Sequence, residues 1–233
     1  MTTSTSPTSS SNGLSERLAA VREGVTDAAR AAGRDPAGIT TIVVTKFHPA
    51  SLVRELAQLG VHDVGENRHQ EAQEKAAELA DLGLTWHFVG QLQSKKARQA
   101  RRYASVIHSI DRTSLVDALA SEETTVDGFV QLNLTDDPGR GGVAAGDLEA
   151  LGEHVLQTPG VRLRGVMAVA PLGEDPARAF ERVRAASERV RSLAPDASFI
   201  SAGMSQDYRE AIAQGATHLR IGTAITGNRP ELR

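Results

Sequence analysis

Short runs of β-branched and apolar residues alternate with longer amphipathic stretches along most of the chain. The short runs predict eight strands, near residues 39–45, 61–64, 86–89, 106–109, 128–133, 162–167, 198–201 and 218–221. The stretches between them have helical spacing and end at Gly, Pro or polar clusters. An additional helix is predicted before the first strand, from the spacing of Leu14, Leu18, Val21, Val25 and Ala29.

Eight strand-helix units in succession are typical of parallel strands joined by right-handed crossovers. The predicted fold class is therefore α/β, a (β/α)8 TIM barrel with an extra N-terminal helix. Polar or glycine residues follow every predicted strand, and in such a barrel all eight strand ends meet on the face that holds the active site. An open Rossmann-like sheet is the alternative, because the third, fourth and seventh predicted strands are short.

The chain length of 233 residues suits one barrel domain. We predict that residues 13–233 form this single domain. Residues 1–12 are almost all Ser and Thr and have neither a basic region nor an apolar stretch. They are predicted to be a disordered tail and not a signal peptide.

The charges favour a small-molecule partner over nucleic acid or a membrane. The 26 basic and 29 acidic residues are interleaved and give a net charge of −3. A basic cluster lacks interleaved aromatic residues and is predicted to be a solvated helix face; it comprises Lys95, Lys96, Arg98, Arg101 and Arg102.

The chain has no cysteine and no apolar run of membrane-spanning length, so the cytoplasm is the expected location. The histidines lack metal-ligand spacing, and we expect no metal.

Lys46 follows the apolar run Ile42–Thr45, and Pro49 prevents the strand from continuing. A lysine beside apolar side chains loses hydration, which lowers its pKa and leaves an amine that can attack a carbonyl carbon. Schiff-base chemistry at Lys46 is therefore one hypothesis. A surface lysine that closes a strand is the other.

Two candidate anion sites lie near the end of the chain. Ser205 precedes a predicted helix, so its hydroxyl can cap that helix where the dipole is positive. Gly222 and Thr223 follow the last strand, and their amides can bind an anion. Barrels commonly bind phosphate after strands seven and eight, where these residues fall. An ordinary N-cap and a plain turn are the alternatives.

A lysine and a phosphate cradle are the two anchors that pyridoxal 5′-phosphate (PLP) requires. From Val43 to Pro230 the chain resembles the pyridoxal phosphate homeostasis proteins and, more distantly, the barrel domain of alanine racemases. The matching segments are VTKFHPAS from Val44, GENRHQEA from Gly65, WHFVGQLQSKKAR from Trp86, HSIDR from His108, RGVMAVAP from Arg164, and the stretch from Gly203 to Gly227.

The resemblance implies that Lys46 forms an internal aldimine with PLP. It also implies that Ser205 and the amides of Gly222 and Thr223 hold the phosphate, and that Arg220 faces the pyridine nitrogen. Since an arginine stays protonated, it keeps that nitrogen unprotonated, and such a ring withdraws electrons poorly. A structural ion pair is the alternative role for Arg220.

Three further residues are candidates for the pocket or its surroundings. Asn67 can form a hydrogen bond near the ring oxygen, and Glu66 either orients Asn67 or pairs with another neighbour. Met167 can pack against the ring with its thioether, although a methionine on a strand also serves simply as core.

The resemblance implies a PLP carrier that acts in PLP homeostasis and delivers the cofactor to other enzymes, without strong catalysis of its own. We expect no second domain of the kind that supplies a catalytic tyrosine in alanine racemases. The main alternative is a racemase-like enzyme that uses Lys46 and either Tyr208 or His87, although His87, between Trp86 and Phe88, is expected to be a core histidine. A Schiff-base aldolase acting on phosphosugars is a third possibility. We expect a monomer.

Overall fold

The computed structural model describes residues 9–228. It contains eight parallel strands, each paired with the next along the chain, and the first also pairs with the last. The strands are β1 Thr40–Val44, β2 Asp63–Glu66, β3 Thr85–Phe88, β4 Val106–Ile110, β5 Val126–Gln131, β6 Val161–Met167, β7 Phe199–Ser201 and β8 His218–Ile221. The predicted closed barrel is confirmed, and the open-sheet alternative is wrong because β1 and β8 pair along four residues.

Helices cover the outside of the barrel. They are α1 Ser9–Ala31, α2 Ala50–Gln58, α3 His69–Glu78, α4 Ala97–Ala100, α5 Thr113–Leu119, α6 Leu148–Gln157, α7 Pro176–Leu193, α8 Tyr208–Ala213 and α9 Thr223–Thr226. Their apolar faces and the outward faces of the strands form one continuous hydrophobic core. None of the helices within residues 9–228 is long and apolar enough to cross a membrane.

The additional helix α1 packs against α8 and α9. Its predicted apolar face is buried, from Leu14 to Ala29. Arg17 fixes the contact by donating from Nε to the carbonyl of Ile225 at 2.7 Å. Since α1 begins at Ser9, it overlaps the tail predicted for residues 1–12; residues 1–8 lie outside the described residues, and the predicted division into tail and domain stays a prediction.

All eight strands form near their predicted positions, and β2 and β5 are displaced by two residues. Val61, which opened the predicted second strand, is buried in the connection after α2, where its amide donates to the carbonyl of Leu56. Its apolar character therefore reflects packing against the core and not membership of the strand. The carboxyl ends of all eight strands lie on one face, as a parallel barrel requires.

Candidate functional site

Lys46 lies two residues beyond the end of β1 on the carboxyl-terminal face, and its side chain is exposed. The expectation that neighbouring apolar side chains remove its hydration is therefore wrong for this structure. Its Nζ lies 5.8 Å from the centroid of the Phe47 ring. The amine is thus accessible to a ligand at the barrel mouth.

The backbone beside Lys46 has an unusual conformation. Phe47 has φ +68°, a left-handed value that is uncommon for residues other than glycine. The surroundings hold it there: its amide donates to Glu71 Oε1 at 2.6 Å, and the Arg68 guanidinium lies 4.8 Å from its ring centroid. Strained backbone that the surroundings fix in this way is found preferentially at functional sites.

A group of polar side chains anchors this turn; we call the buried Thr45, Glu66 and Lys75 and the partly exposed Glu71 the strand-end network. Lys75 Nζ donates to the carbonyl of Thr45 at 2.9 Å, to Glu66 Oε1 at 2.7 Å and to Glu71 Oε1 at 2.8 Å. The hydroxyl of Thr45 also donates to Glu66 Oε1, at 2.7 Å. Burial raises the pKa of Glu66, while Lys75 and Thr45 act in the opposite direction. Of the two roles predicted for Glu66, the structure shows the pairing with a neighbour.

Sequence reasoning missed Lys75. A signal was present, because Ala72, Lys75 and Leu79 have the spacing of one buried helix face and all three are buried. A lysine at such a position needs a buried partner. The partner on β2 and the strand-end carbonyl on β1 become neighbours only through the pairing of these two strands.

The predicted phosphate residues come together after β7 and β8. Ser205 Oγ accepts from the amide of Ala224 at 3.3 Å and from the Thr223 hydroxyl at 3.4 Å. A Cβ on Gly222 would lie 3.6 Å from the carbonyl oxygen of Val44, which places this segment beside the end of β1. The site therefore lies on the same face as Lys46.

The predicted capping role of Ser205 is wrong. Helix α8 begins at Tyr208 and has Asp207 as its N-cap residue. Asp207 Oδ1 accepts from the amide of Met204 at 2.6 Å. Ser205 lies in the preceding turn, where its hydroxyl contacts the first turn of α9 instead.

Arg220 on β8 is buried between the ends of β6 and β7. Its Nη1 donates to Ser201 Oγ at 2.7 Å and its Nη2 to the carbonyl of Ala168 at 2.8 Å. Burial lowers its pKa to about 10, so the guanidinium is still charged at neutral pH. Met167 lies next to Ser201 in the β6–β7 register and packs in a small cluster with Val106, Phe129 and Phe199.

Asn67 follows the end of β2, with its Oδ1 buried and without a hydrogen-bond partner within residues 9–228. A Cβ on Gly90 would lie 2.8 Å from Asn67 Cα, so this glycine permits the close approach of the segments after β2 and β3. Asn67 lines, with His69, Gln91 and Lys96, a cavity of about 1000 Å³ beside α3. The other predicted site residues do not line that cavity.

The predicted site residues lie on neighbouring strand ends. Their strands follow the order β6, β7, β8, β1 and β2 around the barrel. They are Met167 at the end of β6, Ser205 after β7, Arg220, Gly222 and Thr223 on or after β8, Lys46 after β1, and Asn67 after β2. Among the side chains of residues 13–228, no three His, Asp or Glu residues are grouped as metal ligands.

The two residues considered as a second base lie elsewhere. The Tyr208 hydroxyl lies against Gly24 of α1, on the outer side of the barrel. His87 is buried in the barrel, with its ring nitrogens 2.9 Å from His108 Nε2 and 2.9 Å from Asp63 Oδ1. The expectation that His87 is a core histidine with its hydrogen bonds satisfied is confirmed.

The chain matches a family model described as the N-terminal domain of alanine racemase over residues 17–230. The pyridoxal phosphate homeostasis protein of Pseudomonas aeruginosa is 41% identical over 224 residues, covering 93% of this chain and 96% of that protein. The one of Mycobacterium leprae is 39% identical over 236 residues, covering 92% of each. PipY of Synechococcus elongatus, solved with PLP bound, is 35% identical with a TM-score of 0.79, covering 92% of this chain and 100% of that one. The chain therefore belongs to the pyridoxal phosphate homeostasis protein family, within the group that shares the alanine racemase N-terminal barrel.

Proposed function

We propose that this chain binds PLP covalently through Lys46, acts in PLP homeostasis and delivers the cofactor to PLP-dependent apo-enzymes. The observation that carries the proposal is the exposed Lys46 amine on the barrel face where Ser205, Thr223 and Arg220 lie on neighbouring strand ends. The curated relatives are named for PLP homeostasis, and PipY binds PLP, which supports the same assignment.

The chemistry of these side chains fits PLP. When bound, PLP supplies an aldehyde carbon that a lysine amine captures with loss of water. Ser205 and the first turn of α9 offer hydroxyl and amide donors for a phosphate. The buried Oδ1 of Asn67, which finds no hydrogen-bond partner among the described residues 9–228, lies after β2 and suits a polar ligand group.

Arg220 favours holding the cofactor over strong catalysis. A guanidinium has donors and no acceptor, so a pyridine nitrogen that it contacts must accept the hydrogen bond and stay unprotonated. An unprotonated ring stabilises a substrate carbanion poorly. The exposure of Lys46 meanwhile leaves the covalent bond open to a recipient enzyme.

Racemase-like activity is the second candidate, and it needs a proton carrier on each face of the substrate. Tyr208 and His87, the two residues considered for this task, contact α1 and the barrel interior respectively. The geometry therefore favours the carrier function. Exchange of the α-hydrogen of amino acids for deuterium, at rates above those with free PLP, would instead favour an enzyme.

A PLP titration followed by absorbance tests the proposal. We expect visible absorbance in the wild-type protein, its loss in Lys46→Ala and its retention in Lys95→Ala, which removes an exposed lysine of the basic cluster. The loaded protein should restore the activity of a PLP-dependent apo-enzyme, and the Lys46→Ala variant should not. Equal absorbance in both variants would overturn the assignment of Lys46.

The location and the oligomeric state stay predictions. We place the protein in the cytoplasm as a monomer, with PLP and apo-enzymes as its partners and with no nucleic acid or membrane bound. Light scattering of the purified protein measures its oligomeric state directly.

A further inference from the structure

A line of polar side chains crosses the barrel interior and ends at Arg220; we call Asp63, His87, His108, Ser201 and Arg220 the interior relay. His87 Nδ1 lies 2.9 Å from His108 Nε2, and His108 Nδ1 lies 2.8 Å from Ser201 Oγ. Since His108 is on β4 and Ser201 on β7, which are not neighbours in the barrel, this second contact crosses the interior. Arg220 Nη1 donates to Ser201 at one end, and His87 Nε2 lies 2.9 Å from Asp63 Oδ1 at the other.

The two ends of the interior relay, together with a neutral His87, fix the direction of every hydrogen bond between them. Arginine only donates, and a carboxylate only accepts. His87 Nε2–H therefore donates to Asp63, and the Nδ1 of a neutral His87 accepts from His108 Nε2–H. The free His108 Nδ1 then accepts from the Ser201 hydroxyl, whose oxygen accepts from Arg220.

Burial of the interior relay opposes any change in the direction of its hydrogen bonds. His108 and Ser201 are fully buried, and His87 and Arg220 are nearly so, while the Asp63 side chain is about one-third exposed at the start of β2. Burial is the main cause that holds the pKa of His108 well below its ordinary value, and the charge of Arg220 acts in the same direction. His108 is therefore neutral at neutral pH and carries one ring proton, as the directional line requires.

We propose that Asp63, His87, His108 and Ser201 are positioning residues that hold the Arg220 guanidinium, through one directional line of hydrogen bonds, as a donor toward the carboxyl-terminal face. The effect on bound PLP rests on the proposed function, whereas the positions of the protons do not. The interior relay joins a carboxylate at the amino-terminal side of the barrel to the arginine at the opposite side. Both histidines are assigned as the Nε2–H tautomer.

Nitrogen NMR of the wild-type protein labelled with ¹⁵N-histidine tests the proton positions without any variant. We expect His87 and His108 both to show a protonated Nε2 and an unprotonated Nδ1 at neutral pH. Couplings across the hydrogen bond between the two rings assign the pair. An imidazolium at His87, or an Nδ1–H tautomer at either ring, would overturn the inference.

Ser201→Ala tests the connection to the cofactor, with Ser187→Ala, a buried serine on α7, as the matched control. Loss of a hydrogen bond to a charged group predicts about tenfold weaker PLP binding and a shifted absorbance maximum. The His108 Nδ1 resonance should move toward that of an unbonded nitrogen, and Ser201→Thr, which keeps a hydroxyl, should restore binding and spectrum. Ser187→Ala should change none of these signals.

The outcomes separate the two proposals. If the wild-type protein binds no PLP, the proposed function fails, while the tautomers of His87 and His108 are still measurable. If the wild-type protein binds PLP and Ser201→Ala binds it with the same affinity and spectrum, the positioning role is wrong and the proposed function stands.

Discussion

Lys46 depends on a second, buried lysine for its position. Lys75 binds the Thr45 carbonyl one residue before Lys46, and Glu71 accepts from the Phe47 amide one residue after it. The two sides of the turn are therefore joined through the Lys75–Glu71 ion pair. This explains how a left-handed Phe47 is maintained next to an exposed amine.

Lys75→Met should destabilise the fold, because it leaves the Glu66 carboxylate buried without its cation. Removing one partner of a buried pair costs about 3–5 kcal/mol of the free energy of unfolding. Urea denaturation followed by circular dichroism measures the change. Arg54→Ala, which breaks an exposed pair with Asp81, is the control and should have little effect.

The double variant Lys75→Met, Glu66→Met separates the buried charge from packing. If the unpaired carboxylate causes the loss, replacing it by an apolar side chain should recover most of the stability. A single Lys75→Met variant as stable as the wild-type protein would contradict the role assigned to the strand-end network.

At the level of single residues, the sequence indicated those candidate site residues whose immediate neighbours in the sequence form a recognisable pattern. Lys46 and Arg220 stand on or after apolar strands, and both lie on the predicted face. The cap at Ser205 was mispredicted because Asp207, two residues later, takes the N-cap position. Ser201 and His108 were missed as partners because they are 93 residues apart and meet only across the barrel interior.

At the scale of elements, a single glycine permits the contact between β6 and β7. Gly165 has φ +148°, and a Cβ there would lie 2.8 Å from the carbonyl carbon of Phe199. The β5–β6 register shifts next to this residue, where Gly128 pairs with Leu163 and Phe129 with Gly165. Beyond this bulge, β6 pairs with β7 without a shift, and Met167 lies in register with Ser201.

Gly165→Ala should therefore destabilise the barrel. The added methyl group would meet the backbone of Phe199, which cannot move without breaking the hydrogen bonds between β6 and β7. Overpacking of this kind costs about 1–3 kcal/mol, to which the backbone strain adds. Thermal unfolding measures the loss. Gly146→Ala is the matched control because a Cβ there meets nothing within 4 Å; an equal effect of the two substitutions would refute the explanation.

The elements themselves were largely predictable. Hydrophobic periodicity located all eight strands and the face on which they end. The predicted position of β2 was two residues too early because Val61 is an apolar residue that packs against the core from the connection after α2. Hydrophobic periodicity does not distinguish such a buried loop residue from a strand residue. Closure of the sheet into a barrel was predicted from the number of strand-helix units, and only the pairing of β1 with β8 in the structure confirms it.

At the scale of the whole molecule, the polar barrel interior makes stability depend on pH. His218 on β8 has its pKa lowered to about 4, chiefly by burial, with His87 adding to the effect and Asp63 opposing it. In the unfolded chain an ordinary histidine titrates near pH 6.5. The unfolded state therefore binds more protons between these values, and stability falls as the pH falls through this range.

His218→Gln should reduce this acid sensitivity. The shift corresponds to about 3 kcal/mol of stability that is present above pH ~6.5 and lost by pH ~4. Urea midpoints measured across this range should fall less steeply in the variant than in the wild-type protein. Identical slopes in the wild-type protein and His218→Gln would contradict the role of the buried ring.

We propose that Lys46 holds PLP covalently on the carboxyl-terminal face of the barrel. Borohydride reduction of the PLP-loaded protein, followed by peptide mass mapping, tests it most directly, because reduction fixes the bond between a lysine amine and the aldehyde carbon. We predict one pyridoxyl group, on the peptide that contains Lys46. A modification confined to other lysines, or none at all in a protein loaded with PLP, would show that Lys46 does not hold the cofactor.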